Sequence, residues 1–422
     1  GYENAEPIIL QGHLDMVCEK ENDTEIDFEN EGLRLFIDGD FVKAKGTTLG
    51  GDDGIAIAYS LAILDSDDIA HPRLECVFTV DEEVGMLGAE KIDLSMLKGH
   101  QVLNIDSDVE GTFLTSCAGG VTAECSFPLV FDEAEGLQYR LTLTGLMGGH
   151  SGGDIHLGRG NANKILNRFL SRMANRQDLY LCEINGGNLR NAIPREAYAI
   201  CAVPEDAKHD VRTELNIFTS EVENELSVTE PDLKLVLESE TPRKTAIDQD
   251  TTARLLKALY AAPHGVYAMS QDIPGLVETS TNLASVKMKP NNVIRIETSQ
   301  RSSILSARDD MANTVRSAFQ LAGANVTFGE GYPGWKPNPH SAILEVAAES
   351  YKRLFGVDAK IKAIHAGLEC GLFLDKYPTL DMISFGPTLT GVHSPDERML
   401  IPTVEKFWKH LLDILAHVPA KK

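Results

Sequence analysis

Apolar residues in the first part of the chain fall in short, nearly unbroken runs at residues 8–10, 74–80 and 102–105. Runs of this length without polar alternation suit interior strands of a sheet covered on both faces. Between the first two, residues 53–64 carry Ile55, Ala58, Leu61 and Ala62 at helical spacing, with Asp52 or Asp53 placed to cap the helix. From about residue 120 to 330 the pattern changes. Residues 139–144 and 293–298 alternate as half-buried strands do, and 162–173, 211–226 and 251–259 read as amphipathic helices. A turn-rich stretch at 329–339 ends this section. Ser341 then opens a helical run that stops at Gly356, residues 382–385 read as a strand, and 403–418 as a closing helix. The predicted architecture is an α/β domain with a mixed, mostly parallel sheet flanked by helices, built from residues 1–119 and 331–422. An α+β insertion at 120–330 interrupts it.

Composition narrows the function classes. At 422 residues the chain exceeds one ordinary core. A net charge of −24 repels phosphate backbones and anionic lipid headgroups, which argues against nucleic-acid and membrane partners. The seven cysteines include no C-x-x-C pair and form neither a zinc ribbon nor a disulfide framework. A reducing, cytoplasmic setting is expected, with no membrane span and no signal peptide at the start.

The side chains that carry chemistry sit where the strands end. His13 and Asp15 follow the first apolar run, Glu82 and Glu83 the second, and Asp106 the third; His393 lies in the loop after 382–385. Open α/β sheets bind ligands at the carboxyl ends of their strands. Each feature alone has an ordinary explanation: a hydrogen-bonded His–Asp pair, a solvated Glu–Glu surface, a helix cap at Asp52–Asp53, a turn at Asp106, a loop at His393. Their shared placement points instead to one metal site. Two divalent ions about 3.5–4 Å apart need a bridging carboxylate and separate nitrogen and oxygen ligands. Carboxylates and imidazoles without thiolate suit two Zn²⁺ per chain, with Mn²⁺ or Co²⁺ as substitutes. Asp15 is placed to hold the second nitrogen of His13. Residue type alone does not separate ligand from base.

The segments GHLDMV, GTTLGGDDGIAIA, DEEVGMLGAE, NIDSDVEG, GLMGGHSGGDIHLGRGNANKIL, NGGNLRNAIPREA, HAGLECGLF and GPTLTGVHSPDE run in order over nearly the whole chain. Together they resemble the aminoacyl-histidine dipeptidases (Xaa-His dipeptidase, peptidase D) of the co-catalytic di-zinc exopeptidase class. The resemblance implies that His13 and Asp106 hold one zinc, Glu83 and His393 the other, and Asp52 bridges both. Glu82 would be the general base, with Asp15 behind His13. His150 would steady the developing oxyanion, and Asn191 and Arg301 would grip the substrate carboxylate. His365 and Glu369 are expected nearby. It further implies hydrolysis of unblocked dipeptides, Xaa-His among them, by a water activated between two zinc ions, in a homodimer formed through a lid at 120–330. An N-acyl-amino-acid deacylase or carbamoylase would share the same core, as would an inert metal-binding homologue. Two departures stand out. Asp53 follows the bridging position where the family usually has Asn, and the family carries a helix and a strand ahead of the first motif, whereas this chain begins almost on the strand leading to His13.

Overall fold

Four largely apolar segments run side by side in parallel. In sheet order they are Asp381–Ser384, Gln101–Asn104, Ile8–His13 and Leu74–Thr79. Thr112–Cys117 adds on antiparallel to Asp381–Ser384, and Lys360–Ile364 pairs parallel to Thr112–Cys117, so the six-stranded sheet is mixed and mostly parallel. In this computed structural model residues 2, 4–21, 23–271 and 273–418 are described. By internal contacts the chain forms two compact units: Gly1–Cys117 with Trp335–Ile364 and Leu368–Lys422, and Ala118–Gly334 with His365–Gly367.

In the first unit, helices Gly51–Leu64, Ala342–Phe355 and Ile401–Ala416 supply the apolar cover. Ile8, Leu10, Leu103 and Ile383 from the sheet pack with Tyr59, Ile63, Tyr351, Phe407 and Leu411 from the helices. Ser341 caps the second helix by accepting the Leu344 N–H at 3.1 Å, and Gly356 ends it in the left-handed region at φ 71°. The first helix differs from expectation in two ways. Its buried face is Ala56, Tyr59, Ser60 and Ile63 rather than Ile55, Ala58, Leu61 and Ala62, and Leu61 is 53% exposed. The segment is apolar nearly all round, so spacing alone could not choose the face. Neither Asp52 nor Asp53 caps it: Gly50 is the N-cap, with no side-chain cap bond of its own, and both aspartates have non-helical backbone angles.

In the second unit an antiparallel sheet runs Lys234–Ser239, Leu137–Thr144, Ala197–Val203, Tyr180–Gly186, Val277–Lys289, Val293–Ser302, Gly119–Pro128, Asn325–Phe328, and Gly265–Met269 pairs with Val277–Lys289. Helices Ala162–Ala174, Lys208–Glu225, Gln249–Ala261 and Leu305–Leu321 contribute Phe169, Phe218, Leu259 and Phe319 to its main core. Leu137–Thr144 alternates, with one face buried, whereas the central strands Ala197–Val203, Val277–Lys289 and Val293–Ser302 are buried along most of their length.

Candidate metal centre

The parallel strands of the first unit deliver their last residues to one edge. His13 ends its strand in register with Thr79, and Leu14 N donates to the Thr79 carbonyl at 2.9 Å. The chain then turns, placing Glu82 and Glu83 so that their N–H groups donate to the two Asp15 oxygens at 3.1 and 3.0 Å. The Asp15 carboxylate thus holds the Glu82–Glu83 turn. Its backbone carbonyl, rather than that carboxylate, is the hydrogen-bond partner of His13 Nδ1, at 2.9 Å against 3.7 Å for the nearer carboxylate oxygen. A carbonyl only accepts, so Nδ1 carries a proton and Nε2 is the nitrogen turned into the cluster.

Asp52 occupies the centre. Its Oδ1 is 3.0 Å from His13 Nε2, and its Oδ2 is 3.3 Å from His393 Nε2. His393 Nε2 is also 3.0 Å from Glu83 Oε1, and His13 Nε2 is 3.9 Å from Asp106 Oδ1. One carboxylate thereby faces two imidazoles, each of which has a further carboxylate beside it. Ligand-type atoms of Asp52, Glu83 and His393 lie within 4.8 Å of one another, as do those of His13, Glu82 and Glu83 and those of His13, Asp53 and Asp106. Asp53 stands behind rather than in front of His13: its Oδ2 accepts the His13 backbone N–H at 3.2 Å.

The electrostatics describe a cluster short of positive charge. Burial would lower His13, but the hydrogen bond to Asp52 and the charges of Asp53, Asp52 and Glu82 raise it to about 10. The carboxylates of Asp52 and Glu83 beside its ring take His393 to about 10 as well, against burial. Burial would raise Asp52, yet the two imidazoles hold it well below the usual carboxylate range. Burial pushes Asp106 well above that range, and the neighbouring carboxyls of Asp52, Asp53, Glu82 and Glu369 add to the rise. Glu82 rises to about 8, first through burial and then through Glu83, Glu369 and Asp52, with His13 opposing. Buried carboxylates crowded in this way need cations, and two protonated imidazoles supply only part of the charge. Glu83 Oε1 is buried and receives no aligned hydrogen bond, although His393 Nε2 is close. A hard, oxygen-and-nitrogen donor set with an unsatisfied buried oxygen fits divalent cations held between these side chains.

Below the cluster lies a polar layer. Glu369, fully buried, accepts from Gln11 Nε2 at 2.6 Å and from the Thr79 hydroxyl at 2.8 Å, and Asn104 Nδ2 donates to Gln11 Oε1. Gln11 and Asn104 are register partners on adjacent strands, so a polar pair occupies interior positions of an otherwise apolar sheet. Burial raises the Glu369 carboxyl against these two hydrogen bonds.

The remaining expected residues belong to the second unit, which brings them together. His150 Nδ1 accepts the N–H groups of Gly152 and Gly153 at 3.2 and 2.9 Å, leaving the proton of a neutral ring on Nε2. Ser151 donates its N–H to the Asn191 carbonyl at 2.7 Å and accepts from Arg301 through its hydroxyl at 3.4 Å. Arg301, buried, also donates to the Tyr332 hydroxyl at 2.8 Å. His365 is hydrogen-bonded to the Ser280 hydroxyl at 2.7 Å, and burial, reinforced by Arg301 and His150, lowers it to about 3. Asn191 itself is exposed.

The match to the family model for Peptidase family M20/M25/M40 runs from residue 9 to 417. The chain belongs to this family. It is 44% identical over 423 residues to the cytosol non-specific dipeptidase of Escherichia coli strain K12, covering 100% of this chain and 87% of that protein. Among solved structures it resembles aminoacylhistidine dipeptidase from Vibrio alginolyticus, with a TM-score of 0.87 and 42% identity over 100% of this chain and 86% of that one. Aminopeptidase PepT from Bacillus cereus shares the fold at a TM-score of 0.56 and 14% identity, covering 98% and 81%. The M20 fold is the α/β arrangement described above, and its members are hydrolases.

Proposed function

We propose that the chain is a metal-dependent dipeptidase that hydrolyses unblocked dipeptides, Xaa-His among them. The observation that carries this reading is Asp52, whose two oxygens face His13 and His393 separately. The full-length likeness to two proteins named as dipeptidases supports the substrate class. On this reading His13, Asp52 and Asp106 would hold one divalent ion, and Asp52, Glu83 and His393 a second, zinc being the metal most in keeping with the donors. Such ions, when bound, polarise the scissile carbonyl and lower the pKa of the attacking water.

The chain's own groups do the rest. Asp15 fixes the turn that presents Glu82 and leaves that carboxylate to take the water's proton. Glu82 would then pass that proton to the leaving amine, and a general base of this kind contributes roughly 10²–10⁴ in rate. In the second unit, the Nε2 proton of His150 is a donor suited to a developing oxyanion, and the Arg301 guanidinium to a carboxylate. Asn191 and His365 complete the proposed substrate contacts. This unit is read as the lid and dimerisation domain, giving a cytoplasmic homodimer. Likeness to the cytosol non-specific dipeptidase of Escherichia coli supports the compartment, and light scattering at micromolar concentration tests the dimer.

The test is a substrate panel on zinc-loaded protein: Xaa-His dipeptides, N-acetyl amino acids and tripeptides. Turnover confined to free dipeptides is the expected result. Preference for acetylated amino acids would replace the reading with a deacylase, which the same centre would serve.

A further inference from the structure

Asp52 and His393 enter the cluster from opposite ends of the chain, and one buried carboxylate ties their segments together. Glu397, four residues after His393 and only 2% exposed, accepts four backbone N–H groups. Its Oε2 takes those of Leu49 and Gly50 at 2.7 and 3.0 Å, and its Oε1 those of Gly51 and Asp52 at 2.9 and 3.3 Å. Its own N–H donates to the Ser394 carbonyl at 3.0 Å, closing the turn that directly follows His393, itself at φ 63°. Gly50 is left-handed at φ 66°, and a Cβ on Gly51 would lie 2.7 Å from Leu389 Cδ2 and 3.4 Å from Glu397 Oε1. The left-handed backbone of Gly50 suits the tight turn whose N–H groups converge on Glu397, and Gly51 leaves room for Leu389. A helix cap satisfies one or two terminal N–H groups. Four successive donors ending on Asp52 itself make a concave anion seat around a side chain from the loop of another ligand.

We propose that Glu397 is a positioning residue that locks the Asp52-bearing turn to the His393-bearing loop and so sets the geometry of the cation site they share. The inference rests on the di-metal reading above. Glu397→Gln keeps the size but turns an amide NH₂ toward two backbone donors. Glu397→Asp keeps the acceptors and withdraws them by one methylene. Zinc is titrated stepwise into apo-protein against a chromophoric chelator, beside thermal unfolding of the apo form and kcat at limiting and excess zinc.

Glu397→Gln is expected to weaken at least one zinc equivalent by about 10–100-fold, the usual loss when a group supporting a ligand is altered. Excess zinc should restore part of kcat, and Glu397→Asp should lie between the two. Apo-protein that is destabilised while both zinc constants stay within about threefold of wild type would make Glu397 a helix cap and overturn the proposal. If the Gln variant does not fold, the Asp variant is read by the same criteria. Wild-type protein that takes up fewer than two zinc ions would instead overturn the di-metal reading, which separates the two failures.

Discussion

Glu230 offers a perturbation whose size follows from the structure. Its carboxylate is 2% exposed and accepts the Met147 N–H through Oε2 at 2.6 Å and the Gly160 N–H through Oε1 at 2.7 Å. One side chain thus closes the base of the loop at 147–160, which carries His150. Within the loop, Asp154 Oδ2 accepts the His150 N–H at 2.9 Å. In Glu230→Gln one acceptor survives and the other becomes an NH₂ facing a buried donor. Leaving such a group unpaired costs about 1–3 kcal/mol. For a domain of this size that lowers Tm by roughly 2–4 °C per kcal/mol, so about 4–8 °C is expected for a cost near 2 kcal/mol. Calorimetry of the metal-free protein reads the shift, and amide hydrogen exchange locates it. Faster exchange at Met147 and Gly160, with the centre of the Val277–Lys289 strand unchanged, is the predicted signature. A Tm within about 1 °C of wild type would refute the clasp.

Two further outcomes follow from buried titratable groups. Burial drives the Asp53 carboxyl above its ordinary range, with Asp52 and Glu369 contributing and His13 opposing, and its Oδ2 accepts the His13 N–H at 3.2 Å. Asp53→Asn should keep kcat/KM within about threefold, since a threefold change is only some 0.6 kcal/mol; a loss above tenfold would show that the charged form matters. His410 lies against Phe113, Tyr351 and Phe385 with Nε2 donating to the Ala347 carbonyl at 2.9 Å, and burial lowers it to about 4 against that bond. The unfolded chain therefore takes up this proton first, and the stability it confers is present above about pH 6.5 and lost as pH falls toward 4. Urea unfolding of metal-free protein should lose about 2 kcal/mol more between pH 7 and 4.5 in wild type than in His410→Gln. Equal losses would contradict the assignment.

How much of this was legible in the chain depends on the range of the interaction. His13, Glu82 and Asp106 stand where apolar runs stop, and a strand that ends on a ligand-type residue is a local signal. The Gly51–Leu64 helix is apolar on every side, so its buried face is chosen by Tyr59 and Ile63 fitting the core, which spacing does not encode. Asp52 and Asp53 read as caps because the group that takes up those N–H bonds, Glu397, comes from the far end of the chain. Its position inside GVHSPDE was the one available hint. Glu230 had none: nothing around it marks a partner for Met147 and Gly160. Polar residues inside a buried strand, such as Gln11 and Asn104, were the overlooked clue to the layer that holds Glu369.

The central claim is that a di-metal cluster positions water for a proton transfer to Glu82. Zinc content and turnover of an Xaa-His dipeptide, measured together on wild type and Glu82→Gln, test it most directly. The account predicts two zinc ions in both proteins and a kcat lower by about 10²–10⁴ in the variant. A variant that keeps its zinc and turns over within tenfold of wild type would contradict it.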